Sequence, residues 1–406
     1  MQPERQFDVV LWGATGYTGR LVARALLERS DGMRIAIAGR HRERLERVRA
    51  EVGQPELTIL VGDGLDRAFV DELAHEARVV CTTVGPYARY GRELLEACAF
   101  AGTHYCDLAG EVPWIRRMID LCGPAAERTG ARLVHCCGFD SIPADLGVLF
   151  MQELACEQLG GPCNHVRARV MDMRGGISGG TLASMQTLLD EARHDAEVHR
   201  LLLDPYALSP PGQYPRLDAV DAMFPWYDPD FGWTAPFAMS GTNTRIVRRS
   251  NALMGYRYGC DFRYEEALGT GDGAPGLAVA TAVATATNSA LYWMTLPPLR
   301  ALTQWVQPRP GQGPSQEERA TGRFTYALLG TRGRAQVRVT VSAEVDPGYA
   351  ATARMFAESA LCLAEDNGDA AVPGGSWTPA SAMGNRLIRR LQQVGIRFQR
   401  EVIRAR

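Results

Sequence analysis

None of the ten cysteines forms a C-x-x-C pair, and a chain of 406 residues needs no disulfide scaffold, so they read as reduced thiols. The seven histidines show no H-E-x-x-H or comparable ligand spacing, and no metal site is expected. Net charge is nearly absent: 44 basic residues against 46 acidic ones leave a formal charge of -2. That balance gives no overall field to attract nucleic acid or an anionic membrane, so a charged ligand must be held locally. The opening MQPERQFDVV passes from charged residues straight into an apolar strand, without the hydrophobic run of a signal peptide. A cytoplasmic location is expected, and no repeat or low-complexity tract interrupts the chain.

What is present is enough apolar material, 46% of residues, to fill more than one core. Strand-like runs FDVVLW (7–12), RIAIAG (34–39), LTILVG (57–62), VVCTTVG (79–85) and RLVHCCG (132–138) alternate with helical stretches near 18–29, 41–51, 66–76, 91–101 and 113–129. This rhythm predicts an α/β protein with an amino-terminal Rossmann domain, a doubly wound parallel sheet, over residues 1–150. From about 151 to 350 the texture changes. A strand at 165–173, a glycine-rich loop, a helix over 181–203 and an alternating hairpin (324–330 with 335–345) predict a second α+β domain with a mixed or antiparallel sheet. Residues 351–406 read as carboxy-terminal helices that pack back on the first domain.

The strongest motif is Gly13-Ala14-Thr15-Gly16-Tyr17-Thr18-Gly19, placed where the first strand meets its helix. Glycines there let the backbone turn tightly and approach a diphosphate, which the helix amino terminus attracts with unpaired amides and its dipole. The spacing is G-x-x-G-x-x-G, which predicts a slightly wider turn than G-x-G-x-x-G. About twenty residues later, where NAD enzymes carry an acid for the ribose hydroxyls, the sequence reads Gly39-Arg40-His41-Arg42. Guanidinium forks in place of a carboxylate favour a 2′-phosphate, and so NADP(H). Asp63 reads either as an adenine partner or as a loop cap. Thr83, Gly85 and Pro86 lie at the carboxyl edge of the sheet where the nicotinamide half is expected.

Hydride transfer demands geometry plus one group that handles a proton. Tyr87 and Asp140 are the catalytic candidates, each with a structural hydrogen bond or cap as its competing reading. His135, beside Cys136 and Cys137, reads as core. Asp107 is a substrate-binding candidate, together with Ser178, Gly179, Gly180 and Thr181 of the second glycine-rich link, whose amides could hold a carbonyl, carboxylate or thioester oxygen. Residues 273–299 carry no charge and exceed the about 20 positions needed to cross a bilayer, but they are rich in Ala, Gly and Thr and end in Pro297-Pro298. A buried helix is the plain reading. An apolar wall for a lipid-like substrate, or a peripheral membrane contact, is the sharper one. Arg245, Arg248 and Arg249 read either as ligands for substrate carboxylates or as a solvated strand face.

Taken together, VVLWGATGYTGRLVA, IAGR, TTVGPYARYG, YCDLAGE, GFDSIPADLG, SGGT, DPGYAATARMFAESAL and WTPASAMG resemble the saccharopine dehydrogenase-like oxidoreductases, especially the branch of trans-acting enoyl reductases. The resemblance implies a Rossmann domain followed by an α/β domain, and NADPH as hydride source. The expected function is reduction of an enoyl or carbonyl group in a small, apolar or acyl-linked substrate, with a homodimer left open. The alternatives are an amino-acid C–N dehydrogenase and a cofactor-binding sensor without turnover.

Overall fold

The computed structural model of the protein describes residues 5–175, 179–211, 223–294, 313–365 and 372–403. Apolar runs alternating with amphipathic stretches order the first half: β1 (Phe7–Trp12), α1 (Tyr17–Glu28), β2 (Ile35–Gly39), α2 (Arg42–Glu51), β3 (Thr58–Val61), α3 (Arg67–Glu76), β4 (Ala77–Thr82), α4 (Tyr87–Tyr90), α5 (Arg92–Ala101), β5 (His104–Asp107), α6 (Val112–Thr129), β6 (Arg132–Val134) and α7 (Ile142–Leu159). The second half contains β7 (His165–Arg174), α8 (Gly179–His194), α9 (Ala196–Leu203), β8 (Trp226–Asp228), β9 (Gly232–Ala235), α10 (Ser240–Leu253), β10 (Arg263–Gly271) and α11 (Gly273–Met294). It continues through α12 (Gln316–Ala320), β11 (Arg323–Arg332), β12 (Ala335–Ala343), a π-helical turn at Pro347–Ala351, α13 (Thr352–Ala364), β13 (Gly375–Trp377), α14 (Pro379–Ala382), α15 (Gly384–Gln393) and β14 (Arg397–Ile403).

The first sheet has the order β13-β6-β5-β4-β1-β2-β3 and is parallel throughout. Its strand order reverses between β1 and β4, so the loops leaving those two strands border the crevice where α/β proteins bind ligands. The second sheet, β14-β12-β11-β7-β10-β9-β8, is mixed, with β7 and β10 parallel and the other pairs antiparallel. One apolar cluster continues from Val9 and Leu11 of β1 through Leu146 and Leu149 of α7 to Leu328 and Val339 of the second sheet. The two domains therefore share a core.

Several boundaries differ from the sequence expectation for identifiable reasons. β5 is an additional strand; its four residues are all buried, so it shows no alternation to read. The run RLVHCCG supplies only three strand residues, because Cys136 takes a left-handed φ of 64° and Cys137 N donates to Asp107 O at 2.8 Å. The helix expected over 181–203 breaks at Asp195, whose carboxylate caps α9 through Glu197 N (2.9 Å) and Val198 N (3.3 Å). The segment 351–406 is divided between the sheets. Within it α13 packs on α1 and β13 extends the first sheet, whereas β14 pairs with β12 in the second.

Two corrections bear on function. The buried-helix reading of 273–299 does not describe α11 over 273–289, which buries Gly276, Ala280 and Ala284 toward β9 and β10 and exposes Leu277 and Val279; residues 295–299 lie outside the described residues. No helix among the described residues is long and apolar enough to cross a membrane. Arg245, Arg248 and Arg249 are on α10, not on a strand, and they are buried. Arg245 donates to Asp204 O (2.9 Å) and Leu202 O (2.7 Å), Arg248 to Pro205 O (2.9 Å), and Arg249 to Leu208 O (2.6 Å) and Ser376 O (2.6 Å). Their forks hold the chain after α9, and Arg249 also ties it to β13. Replacing Arg249 with Met should leave two buried carbonyls unpaired and lower unfolding stability by about 2–3 kcal/mol, measured by urea denaturation.

Candidate functional site

The turn between β1 and α1 is shaped by its glycines. Gly13 has φ 89°, and a Cβ built there would lie 2.5 Å from Val84 Cγ2; one on Gly19 would lie 2.2 Å from Gly13 O. At Gly16, by contrast, a Cβ would meet nothing nearer than Gly13 O at 3.5 Å. The protein's own packing thus demands the first and third glycines, while the second faces room for a ligand. No side chain caps α1 and no acid occupies its first turn, so its amides and positive dipole end remain available to an anion. These features fit a dinucleotide diphosphate. Ala14 is buried in the core, and Thr15 and Thr18 flank the turn.

Tyr17 contributes through its backbone only. Its hydroxyl donates to Pro314 O and accepts from Arg319, and its ring meets Tyr349 edge-on at 4.8 Å, which spends the side chain on the second domain. Arg40 is exposed beyond β2 with no hydrogen bond or ion pair among the described residues, whereas Arg42 faces Glu46 at 3.9 Å. Asp63 caps its own turn by accepting from Leu65 N at 3.1 Å, and its second oxygen has no partner among the described residues. The Thr83 hydroxyl donates to Gly13 O at 3.2 Å and so fixes the turn from the neighbouring strand. Gly85 and Pro86 follow at the crevice, with Pro86 preceding α4 and Ser184 of α8 close to Gly85.

Of the proton-handling candidates, Tyr87 is a brace. Its buried hydroxyl donates to Thr82 O (3.0 Å) and accepts from Leu108 N (3.1 Å), and burial followed by the nearby Asp107 charge pushes its ionisation well above the usual phenol range. This corrects the expectation of a donor aimed at substrate. Asp107 is a brace too: Oδ1 accepts from Ala109 N (3.0 Å) and Cys136 N (3.1 Å), and Oδ2 faces His135 Nδ1 at 2.7 Å. It is fully buried, with no face left for a substrate. Glu111, which has no part in the sequence expectations, accepts from Tyr87 N (2.9 Å), Ala88 N (2.7 Å) and Ser184 Oγ (2.5 Å), joining the crevice to α8. Ser178 lies outside the described residues, and Gly179, Gly180 and Thr181 form the first turn of α8.

Asp140 differs from all of these. It sits in the turn between β6 and α7, half-buried, and its carboxylate makes no hydrogen bond or ion pair among the described residues. Burial pushes its pKa up to about 6, with no neighbouring charge contributing. A carboxyl without donors in such surroundings is costly to structure and useful to chemistry.

Two outcomes check this geometry. Gly16→Ala should fold normally and bind NADPH at least about tenfold more weakly, whereas Gly19→Ala should lose stability first, compared by calorimetry and thermal unfolding. Because the folded Asp140 carboxyl is harder to ionise than its unfolded counterpart, the stability tied to this group is intact below about pH 4 and eroded as pH rises through about 6. Asp140→Asn should therefore raise the melting temperature near about pH 8 and leave it unchanged in acid.

Among known proteins, the family described as the saccharopine dehydrogenase NADP binding domain matches residues 9–134. A trans-acting enoyl reductase of Mycobacterium tuberculosis is 40% identical over 409 residues, covering 97% of each chain, and one of Mycobacterium ulcerans is 40% identical over 411 residues with the same coverage. In fold, the yeast saccharopine dehydrogenase (L-Glu forming) of Saccharomyces cerevisiae superposes with a TM-score of 0.52 at 12% identity, over 98% of this chain and 99% of that one. The glycine-rich turn, the arginine beyond β2 and the length of the match agree: the chain belongs to the saccharopine dehydrogenase-like oxidoreductases, in the group that contains the trans-acting enoyl reductases, and its cofactor is NADP(H).

Proposed function

We propose that the protein reduces the carbon–carbon double bond of an acyl-linked enoyl substrate, with Asp140 as the acid that completes the reaction. The observation that carries this reading is the half-buried carboxyl at the carboxyl edge of the first sheet, with no hydrogen bond or ion pair among the described residues. NADPH, when bound, supplies a hydride to the β-carbon of the conjugated acyl group. The electron pair displaced from the double bond then takes the proton of the Asp140 carboxylic acid at the α-carbon, and the aspartate left behind is reprotonated from water. A pKa near 6 suits this role, since an acid works best when it titrates close to the working pH. Arg40 recognises the 2′-phosphate of the cofactor.

The choice of an apolar substrate follows from how the arginines are used. An amino-acid dehydrogenase must neutralise substrate carboxylates, and the α10 arginines suggested for that task are committed to backbone carbonyls. The uncharged, exposed α11, with Leu277 and Val279 outward, suits a lipid-like chain or contact with a membrane surface. The relatives named as trans-acting enoyl reductases favour an enoyl group as the part reduced.

Following NADPH oxidation at a fixed cofactor concentration across a panel of enoyl thioesters tests the assignment. Turnover should fall as pH rises above about 6, and Asp140→Asn should lower kcat by about 10²-fold or more while NADPH affinity is retained. Silence on every enoyl substrate, or an Asp140→Asn enzyme as fast as the parent, sinks the proposal.

A further inference from the structure

The turn that carries Asp140 is anchored on both sides by other parts of the chain. Phe139 N donates to Thr352 Oγ1 of α13 at 3.2 Å, and the Phe139 ring meets Phe324 of β11 edge-on at 4.7 Å. On the other side, Ser141 Oγ donates to Asn243 Oδ1 of α10 at 2.8 Å. Asn243 Nδ2 donates in turn to Glu266 Oε1 of β10 at 2.8 Å, and Glu266 Oε2 accepts from Tyr264 OH at 2.9 Å, which lies 3.0 Å from Tyr326 OH. Ser141, Asn243, Glu266, Tyr264 and Tyr326 are all buried.

The direction of this chain is set at one point. A carboxylate accepts and does not donate, so Glu266 turns the amide of Asn243 with its NH2 inward and its carbonyl toward Ser141. The Ser141 hydroxyl then has only one productive orientation. A buried polar chain in which every member is satisfied rigidifies what it touches, and this one ends one residue from Asp140. The same helix makes a second contact with the crevice, where Thr242 Oγ1 donates to Gly110 O at 2.9 Å.

We propose that Asn243 and Glu266, both from the second domain, are positioning residues that hold the Gly138–Ser141 turn so that Asp140 is presented to substrate without a protein partner. The inference rests on the reading of Asp140 as the acid. Second-domain residues thereby govern the geometry of a group carried by the first, at a site that neither of them touches. Burial is what raises the Asp140 carboxyl among the described residues, so its titration reports how deeply the turn holds it.

The test uses the full chain and three variants: Ser141→Ala, which removes one hydroxyl, Glu266→Gln, which keeps shape and removes the fixed acceptor, and Asn243→Ala. Proteins that unfold at the parental temperature and bind NADPH within about twofold of the parent count as folded. In these, 13C NMR titration should show the Asp140 carboxyl moving down toward the ordinary carboxylate range, because a loosened turn lets it reach water. With an enoyl thioester, kcat should fall by about 10–100-fold while KM for NADPH is unchanged. Ser141→Thr, which restores a hydroxyl, should recover part of both. An Asp140 titration identical to the parent in folded Ser141→Ala and Glu266→Gln proteins overturns the positioning role whether or not turnover is seen. Full activity in Asp140→Asn would instead remove the acid assignment, and the NMR result would distinguish that failure from this one.

Discussion

A carboxylate withdrawn from water must be surrounded by donors or change its ionisation, and the carboxyl edge of the first sheet is organised around that constraint. Asp107 gathers the loops after β5 and β6 by accepting from Ala109 N and Cys136 N and by facing His135. Glu111 fastens the start of α4 and reaches α8 through Ser184. Asp145, with a pKa pushed up to about 7 by burial, accepts from Ser250 of α10 and from Ala380 N of α14 at 2.8 Å. Glu266 orients the chain that ends at Ser141. Each of these acids is saturated with donors and each ties separate elements together. Asp140, in the turn between β6 and α7, has no hydrogen-bond or ion-pair partner among the described residues.

The cofactor side of the crevice is governed by steric demand. Gly13 and Gly19 are required because a Cβ at either would strike the protein itself, and the hydroxyl of Thr83 fixes the turn from the adjacent strand. Gly16 is free of that demand, and a close approach of a diphosphate to the main chain would account for a glycine there. The aromatic residue of the motif, Tyr17, is drawn away to Pro314, Arg319 and Tyr349, so the phosphate turn is also a joint between domains.

The arginines of α10 serve the fold. The three guanidinium groups of α10 look from sequence like a carboxylate-binding cluster, yet burial obliges each to satisfy its donors, and the nearest acceptors are the carbonyls of the segment after α9. They stabilise the segment that leaves α9. The exposed Arg40, beyond β2, keeps its fork free of protein partners among the described residues.

The sequence by itself determined the Rossmann topology and the cofactor, because those depend on local rules: apolar periodicity, a glycine turn joining strand to helix, and the residue types twenty positions later. It also placed Asp140 at the right edge of the sheet. Strands such as β5 and β13 escaped, being short and buried on both faces, as did the fate of Tyr87 and Asp107, whose partners decide whether a polar group acts or braces. Only the tertiary structure decided that Asn243 and Glu266, more than a hundred residues from Ser141, complete its hydrogen-bond chain. Partners that distant leave no periodic trace in sequence, since a hydrogen bond between side chains depends on where two elements cross and not on their spacing along the chain.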